Sequence, residues 1–263
     1  MFAPLRVHGG LLRTPDWPSL EDLERALAAR RPPIAVASGA SLAFVPQSPR
    51  AAAFPARYEP RIYLRGEVQV RERNWHDLMN ALVWLTFPRS KAALNARHHR
   101  ALLAQQASGA PNRGPEQDAM TLFDEGGLLV ASRDPELLRW IEAFQWKRLF
   151  WHERTRIMRE MRFFLFGHAL YEKALSPFTG ITGRALLFEV GQSFIEAPIE
   201  TQLEQLDEGA ARRLADPKAM CSPADLAPLP ILGVPGWCAE NEVETYYDDT
   251  AYFRPARTRR SRP

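Results

Sequence analysis

The chain has 263 residues, of which 46% are hydrophobic and 10% aromatic, so it can bury a substantial core. Its formal net charge of +3 is too small to indicate a nucleic-acid-binding face, and nucleic acid is not expected as a partner. The two cysteines form no CxxC pair, which fits a reducing compartment and excludes a disulfide framework.

The N-terminal residues lack the charged start and the long apolar run of a signal peptide. Charged residues interrupt every long apolar window, so no membrane-spanning helix is expected. Both observations predict a cytoplasmic protein. A group of arginines near the end of the sequence predicts a flexible basic tail over residues 254–263.

The first predicted element is a helix over residues 18–31. Ser19 is a typical helix N-cap, Asp22 occupies the third helical position, and leucines at helical spacing form an apolar stripe. Two short apolar runs follow the helix and predict strands or buried extended segments at residues 34–36 and 42–45.

A hairpin and two helices are predicted next. Apolar residues on both sides of Arg65-Gly66 alternate with polar ones, which predicts a β-hairpin over residues 58–71. Asn74 is a favourable N-cap for a helix that runs to Phe87. Pro88 is then suited to the first position of a second helix, which ends near Gln106.

The second half of the chain continues with mixed elements. Its composition predicts a loop at residues 107–116 and a second hairpin at 119–131. A nearly unbroken helical pattern follows at 134–175, which we interpret as two helices. A strand at 185–190 and a further helix at 203–214 complete this part. The last fifty residues are rich in proline but also in aromatics, which predicts an ordered, extended strap rather than disorder.

The helix from Asn74 carries the first candidate site residues. His76 and Asn80 are four residues apart, so they lie on one line of the helix, with Asp77 beside them. A carboxylate at the third helical position also caps a helix and interacts favourably with its dipole, and this structural role is the one we favour for Asp77.

The following helix contributes His98, which shares the apolar line of Leu94 and Leu102, with Asn95 one turn before it. This histidine is therefore expected to point toward the core. On this helix alone, a hydrogen-bonded core histidine explains the pattern better than a ligand does.

A third element places His168 and Glu172 four residues apart on an apolar stripe with Phe164. An imidazole and a carboxylate at this spacing can bind a metal ion or act as an acid–base pair. They can equally form a buried hydrogen bond that fixes helix packing. Gly167, directly before the histidine, would allow another backbone to approach closely.

Asp124 and Glu125 precede Gly-Gly, where a tight turn explains acidic residues without catalysis. Common signatures of phosphate binding, zinc proteases and serine hydrolases are absent. A ββα-metal nuclease would need a histidine on the strand predicted at residues 58–64, and there is none. The sequence therefore identifies candidate residues but no reaction.

Several blocks of the sequence together resemble a family of bacterial proteins known only as a domain of unknown function, numbered 3025. They include Asn74-Trp75-His76-Asp77 and the stretch from Phe166 through His168 to Lys173. The resemblance implies a single-domain member of that family and supplies no activity, cofactor or catalytic assignment. The complete set of resembling blocks comprises residues 74–77, 80–88, 91–98, 121–125, 166–173, 229–237, 247–249 and 253–255.

We therefore predict one α+β domain over residues 1–263, mostly helical, with short hairpins and the C-terminal strap. We hypothesise a hydrolase-like enzyme, with or without a metal ion, since polar residues occur on three separate elements. The alternative is a non-catalytic binding or interaction protein in which the same residues tie the helices together. The sequence does not define a cofactor, a metal or a partner, which could be a small molecule or a protein. The candidate catalytic residues are His76, Asp77, His98, Asp124, His168 and Glu172.

Overall fold

The computed structural model describes residues 1–12, 16–48 and 53–256. Its α-helices are α1 (Gly9–Leu12), α2 (Leu20–Ala28), α3 (Tyr58–Arg65), α4 (Trp75–Thr86), α5 (Pro88–Ser108), α6 (Pro115–Gly126), α7 (Pro135–Glu142), α8 (Arg154–Glu160), α9 (His168–Ala174), α10 (Gln192–Glu196) and α11 (Ile199–Ala215). Its strands are β1 (Ala43–Pro46), β2 (Glu67–Val70), β3 (Gly127–Ser132), β4 (Met161–Leu165), β5 (Thr182–Glu189) and β6 (Ala227–Pro230). Short 3₁₀ segments and one π-helical turn, Arg148–His152, connect them.

The strands form two small sheets. In the first, β1 and β2 pair in parallel, with Phe44 opposite Val68. The second has the order β4-β3-β5-β6, in which β3 is antiparallel to β4 and parallel to β5, and β5 is antiparallel to β6. Every residue of β3 is buried, as expected for a central strand covered on both faces.

Helices supply most of the regular structure, and one hydrophobic cluster joins both sheets to the helices around them. The predicted mostly helical α+β class is therefore confirmed. No helix in the described part of the chain is both long enough and apolar enough to cross a membrane.

Three of the predicted helix starts are confirmed in atomic detail. Ser19 and Asp22 form the capping box of α2. The side chain of Asn74 accepts a hydrogen bond from the backbone N–H of Asp77 and begins α4. Pro88 occupies the first turn of α5, as the fixed φ angle of proline favours.

The hairpin predicted over residues 58–71 is wrong, because its first half is helix α3. Gly66 adopts a left-handed φ of 72° and ends this helix, rather than turning between two strands. A side chain could not fit there, since a Cβ would lie 1.9 Å from the backbone oxygen of Ser41. Only the second half is a strand, and it pairs with the earlier β1.

The hairpin predicted over residues 119–131 is also wrong. Its first half belongs to α6, where Ala119, Met120 and Phe123 are buried at helical spacing. The return segment is β3, which pairs with β4 and β5. The tight turn that we used to explain Asp124 and Glu125 is therefore absent, and both lie in the last turn of a helix.

The helical pattern predicted over residues 134–175 is interrupted by strand β4, so the prediction of two helices is wrong. Aromatic and long apolar side chains fill this strand, which lies against β3. As a result, His168 begins helix α9 and does not continue a helical stripe from Phe164. Its spacing to Glu172 on α9 remains one helical turn.

Within the described residues, the C-terminal strap is ordered, through β6 and several 3₁₀ turns. Tyr247, Tyr252 and Phe253 are buried in the main core. These contacts match the expectation that the aromatics belong to packed structure. In the basic tail predicted at residues 254–263, residues 257–263 lie outside the described residues.

Candidate functional site

A cavity of about 460 Å³ opens between the helices of the N-terminal half and the start of α9. Its volume is within the range of sites that bind small molecules. Of the six residues predicted for the site, only Glu172 does not line this cavity, and it contacts a residue that does. The five predicted residues on the wall are His76, Asp77, His98, Asp124 and His168.

Two histidines from distant elements meet at the cavity wall. The Nε2 atoms of His76 on α4 and His168 on α9 are 3.0 Å apart, and the rings are nearly perpendicular, at 79°. Behind His76, Oε2 of Glu172 lies 3.0 Å from Nδ1. The predicted direct interaction of His168 with Glu172 is therefore replaced by one in which His76 lies between them.

A buried ion pair stands behind the second histidine. Oδ2 of Asp124 is 3.7 Å from Nδ1 of His168, which is an electrostatic contact but too long for a hydrogen bond. The other carboxylate oxygen accepts a hydrogen bond from Nζ of Lys91, which also lies over the ring of Trp84. Polar groups thus run from Glu172 through both imidazoles to the lysine.

Burial and the charges of Lys91 and Asp124 determine the protonation states of His168 and Asp124. Burial lowers the pKa of His168 to about 4, although Asp124 opposes the shift. Burial alone would raise the pKa of Asp124, but Lys91 and His168 hold it below its usual value. At neutral pH, His168 is therefore neutral and Asp124 is ionised.

The hydrogen bonds then restrict where the protons lie. A carboxylate only accepts, so Nδ1 of His76 carries a proton that it donates to Glu172. Two nitrogen lone pairs 3.0 Å apart would repel each other, so one proton lies between the two Nε2 atoms. The two imidazoles therefore share one proton along their Nε2–Nε2 contact.

Gly167 allows the close approach of another backbone segment, as the sequence predicted. A Cβ at this position would lie 2.4 Å from both the backbone oxygen of Glu125 and the backbone nitrogen of Gly127. The N–H groups of Phe166 and Gly167 both donate to the backbone oxygen of Gly127, each at 2.9 Å. Because the backbone at Gly167 approaches the backbone at Glu125 and Gly127 so closely, His168 lies beside the end of α6.

His98 is buried, with 9% of its surface exposed, and lines the cavity from α5. It points inward, as predicted. Within the described part of the chain, its ring has no hydrogen-bond partner. It is therefore a free donor or acceptor at the cavity wall and contacts neither member of the histidine pair through a hydrogen bond.

In place of the predicted capping interaction, the carboxylate of Asp77 pairs with Arg71. The carboxylate accepts hydrogen bonds from the backbone N–H of Arg71 and from two nitrogens of the guanidinium, at 2.8–2.9 Å. The guanidinium holds the pKa of Asp77 below its usual value despite partial burial. This pairing explains Asp77 as a structural residue on the rim of the cavity.

Three residues of the site were not among the predicted ones. The sequence pattern does not identify Lys91 as a site residue, because a lysine on a helix is normally exposed to solvent. It is buried here because it forms an ion pair with Asp124. Tyr58, whose hydroxyl accepts a hydrogen bond from Asn80 at 2.6 Å, was assigned to a strand. Glu59 follows it and accepts a hydrogen bond from Asn95 at 2.6 Å.

The residues of the site were also compared with the requirements of a metal centre. Among the residues that the structure describes, no group of three or more His, Cys, Asp or Glu side chains is arranged to hold a metal ion. Neither His168 nor Glu172 is therefore part of a group of three protein ligands among the described residues.

Comparison with curated proteins and with solved structures gave no match to this chain. A family model matches residues 42–257, a span that contains every residue of the site described above. The family is described as a protein of unknown function, DUF3025, and it is the one that the sequence blocks resemble. Since its model covers most of the chain, the protein belongs to the DUF3025 family.

Proposed function

We propose that the cavity is the active site of an enzyme that uses the His76–His168 pair for general acid–base catalysis. The observation that carries this proposal is the 3.0 Å contact between the two Nε2 atoms at the wall of a cavity of substrate size. General acid–base catalysis requires a transferable proton that the substrate can reach, and the shared proton of this pair meets that requirement.

The two histidines have different roles. The side chain of His76 is 36% exposed, so it is the member that reaches the substrate, and its Nε2 exchanges the contact with His168 for one with the substrate. Glu172 orients its ring and compensates its charge when it is protonated. His168 is enclosed and exchanges the proton with His76, while Asp124 supplies a fixed negative charge behind it.

Hydrolysis is the reaction class that we favour for this site. No serine or cysteine lies among the described residues of the cavity wall, and the hydroxyl of Thr121 is already donated to the backbone oxygen of Gln117. A serine, threonine or cysteine nucleophile is thus not provided. A water molecule activated by the histidine pair fits this wall better.

A second candidate function is the non-catalytic interaction protein. It is favoured by the burial of His168 and of the Lys91–Asp124 ion pair, which connect α9, α5 and α6 as a structural network would. In that case the histidine pair would contribute to stability only. The two functions therefore make opposite predictions for substitutions in the pair.

The experiment is a screen of the purified protein against ester, amide and phosphoester substrates, followed by the variant His76→Gln. We expect turnover to fall about 10²–10⁴-fold, the usual contribution of a general acid–base residue. The matched control is His152→Gln, which changes an exposed histidine outside the cavity and should leave turnover unchanged.

The same preparations should be analysed for metal content. Full activity in His76→Gln would contradict the acid–base proposal. A stoichiometric divalent metal that this variant loses would replace it with a metal-activated water held by the two imidazoles.

A further inference from the structure

The carboxylates of the cavity are not all neutralised. Asp77 is paired with Arg71, and Asp124 is paired with Lys91. Glu59 also lines the cavity, but among the described residues no lysine, arginine or histidine lies within ion-pair distance of it. This end of the cavity therefore carries an uncompensated negative charge.

Glu59 is also partly buried, which makes its missing counter-ion important. Oε2 accepts a hydrogen bond at 2.6 Å from Nδ2 of Asn95, and that amide also donates to the backbone oxygen of Glu59 at 3.0 Å. A neutral amide stabilises a carboxylate less than a cation does. A partly buried carboxylate with only neutral partners favours a cationic ligand.

An independent observation concerns two asparagines that are almost fully buried. Asn80 on the cavity wall is 5% exposed, and Asn95 behind it is 3% exposed. Each uses its NH₂ group, toward Tyr58 and Glu59 respectively, and each leaves its Oδ1 without a hydrogen-bond donor. Buried acceptors without donors are unusual in native proteins, and a bound donor is one explanation of them.

The electrostatic potential at this wall is negative, as expected from the unpaired carboxylate of Glu59. Besides burial, the charges of Glu59, Asp124 and Asp77 all raise the pKa of Tyr58, so the hydroxyl lies in a negative potential. Arg113 also lines the cavity but is exposed. One exposed guanidinium at the rim is screened by solvent and does not neutralise the inner wall.

We propose that the ligand of this cavity carries a protonated nitrogen, as a primary ammonium or a guanidinium, bound between Glu59 and Asn80. Its positive charge compensates the carboxylate, and one of its N–H groups supplies the donor that Oδ1 of Asn80 lacks. The proposal rests on the proposed function only where it calls this ligand the substrate. The recognition of a nitrogen cation can be tested without any turnover.

A divalent metal ion is the other cation that a negative wall could attract. Among the described residues, however, this wall gathers no group of three metal-ligating side chains. Amide oxygens that lack hydrogen-bond donors are complementary to N–H groups as well as to a charge. The nitrogen cation accounts for both observations, and the metal ion becomes an outcome of the test.

The test is a calorimetric titration of the full chain with three probes of similar length: agmatine, 1,5-pentanediol and glutarate. Agmatine carries both an ammonium and a guanidinium, whereas the other two are neutral and anionic. We expect only agmatine to bind. The variant Glu59→Gln should weaken its affinity about tenfold or more, the effect of losing one charge-assisted hydrogen bond. Glu21→Gln removes the same charge from an exposed site on α2 and should change nothing.

Three results would overturn the proposal: equal binding of the neutral or anionic probe, unchanged agmatine affinity in Glu59→Gln, or absence of agmatine binding at millimolar concentration. Binding of Zn²⁺ or Mn²⁺ without binding of agmatine would overturn it as well. Agmatine binding by a protein whose turnover is unaffected by His76→Gln would support this inference and refute only the acid–base proposal. The two proposals therefore fail separately.

Discussion

His76 and His168 are 92 residues apart in the chain, and yet their Nε2 atoms lie 3.0 Å apart at the wall of the cavity. One ring belongs to a long helix and the other to the first residue of a short one. A carboxylate stands behind each ring, Glu172 on one side and Asp124 on the other. This symmetry allows one proton to be shared and released between two imidazoles of different exposure.

Replacement of His168 by glutamine tests whether the pair is functional. Glutamine preserves much of the volume and can still form a hydrogen bond with His76, so we expect the free energy of unfolding to change by less than about 1 kcal/mol. The shared proton is lost, however, and turnover should fall about 10²-fold or more. Urea denaturation and the hydrolysis assay measure the two effects.

The control for this variant is His8→Gln. His8 is also largely buried and bonded, with Nε2 3.1 Å from Oγ1 of Thr86, but it does not line the cavity. Its replacement should leave turnover unchanged. A His168→Gln protein that is less stable by about 1–3 kcal/mol, from a metal-free parent without hydrolytic activity, would instead support the interaction protein.

Part of this site could be predicted from local sequence alone. The line of His76 and Asn80 and the inward direction of His98 depend on helical periodicity, which the sequence shows directly. The contact between His76 and His168 depends on tertiary packing, and helical spacing suggested Glu172 as the partner of His168 instead. The burial of Lys91 could not be predicted from local sequence either, because its ion-pair partner Asp124 lies on another helix and approaches only in the folded protein.

The two wrong hairpins have one physical origin. Short apolar runs around Ile62 and Phe123 are compatible with either a strand or one face of a short helix. Glycines at positions 66, 126 and 127 were interpreted as hairpin turns, whereas Gly66 ends a helix and Gly127 begins a buried strand. In both regions the strand finds its partner elsewhere in the chain, which local patterns do not reveal.

The stability of the protein should fall as the pH is lowered from about 6.5 toward 4. Burial lowers the pKa of both His8 and His168 to about 4, from 6.5 in the unfolded chain. Between these values the unfolded chain binds more protons than the folded one, so acidification favours unfolding. Each histidine contributes a loss on the order of 3 kcal/mol, which is complete below the folded pKa.

Urea denaturation between pH values of about 7 and about 4.5 measures this dependence. His8→Gln and His168→Gln should each reduce the slope by up to about 1.4 kcal/mol per pH unit, the value for one proton. A slope that is the same in both variants and in the parent would show that neither histidine is neutral in the folded protein.

Gly167→Ala should damage both stability and activity. The new Cβ would lie 2.4 Å from backbone atoms of Glu125 and Gly127, so the corner before α9 must move away from the end of α6. We expect a loss of about 1–3 kcal/mol, as for other overpacked sites, and lower turnover because His168 moves with the corner. Gly191→Ala is the matched control, since its Cβ meets only Oγ of Ser193 at 3.8 Å. Equal melting temperatures of the two variants would contradict this role of Gly167.

The C-terminal strap should be essential for folding. Its strand β6 forms the edge of the larger sheet, and its aromatic side chains are buried in the core. Deletion of residues 228–263 would expose the surface that they cover, so the truncated protein should be insoluble or melt at a much lower temperature. An unchanged melting temperature would show that the strap contributes nothing.

A milder variant, Tyr252→Phe, separates the anchoring of the strap from its apolar packing. The hydroxyl of Tyr252 accepts a hydrogen bond from the backbone N–H of Leu232 at 3.0 Å and donates one to the backbone oxygen of Ile181 at 2.8 Å. Phenylalanine retains the ring but leaves the buried N–H of Leu232 unpaired, while the oxygen of Ile181 keeps the N–H of Ile231 at 3.3 Å. The unpaired N–H should cost about 1–3 kcal/mol in the free energy of unfolding. The hydroxyl is far from the proton-sharing pair in the hydrogen-bond network, so turnover at saturating substrate should not change. Chemical denaturation provides the measurement, and a Tyr252→Phe protein as stable as its parent would show that the strap is held by apolar packing alone.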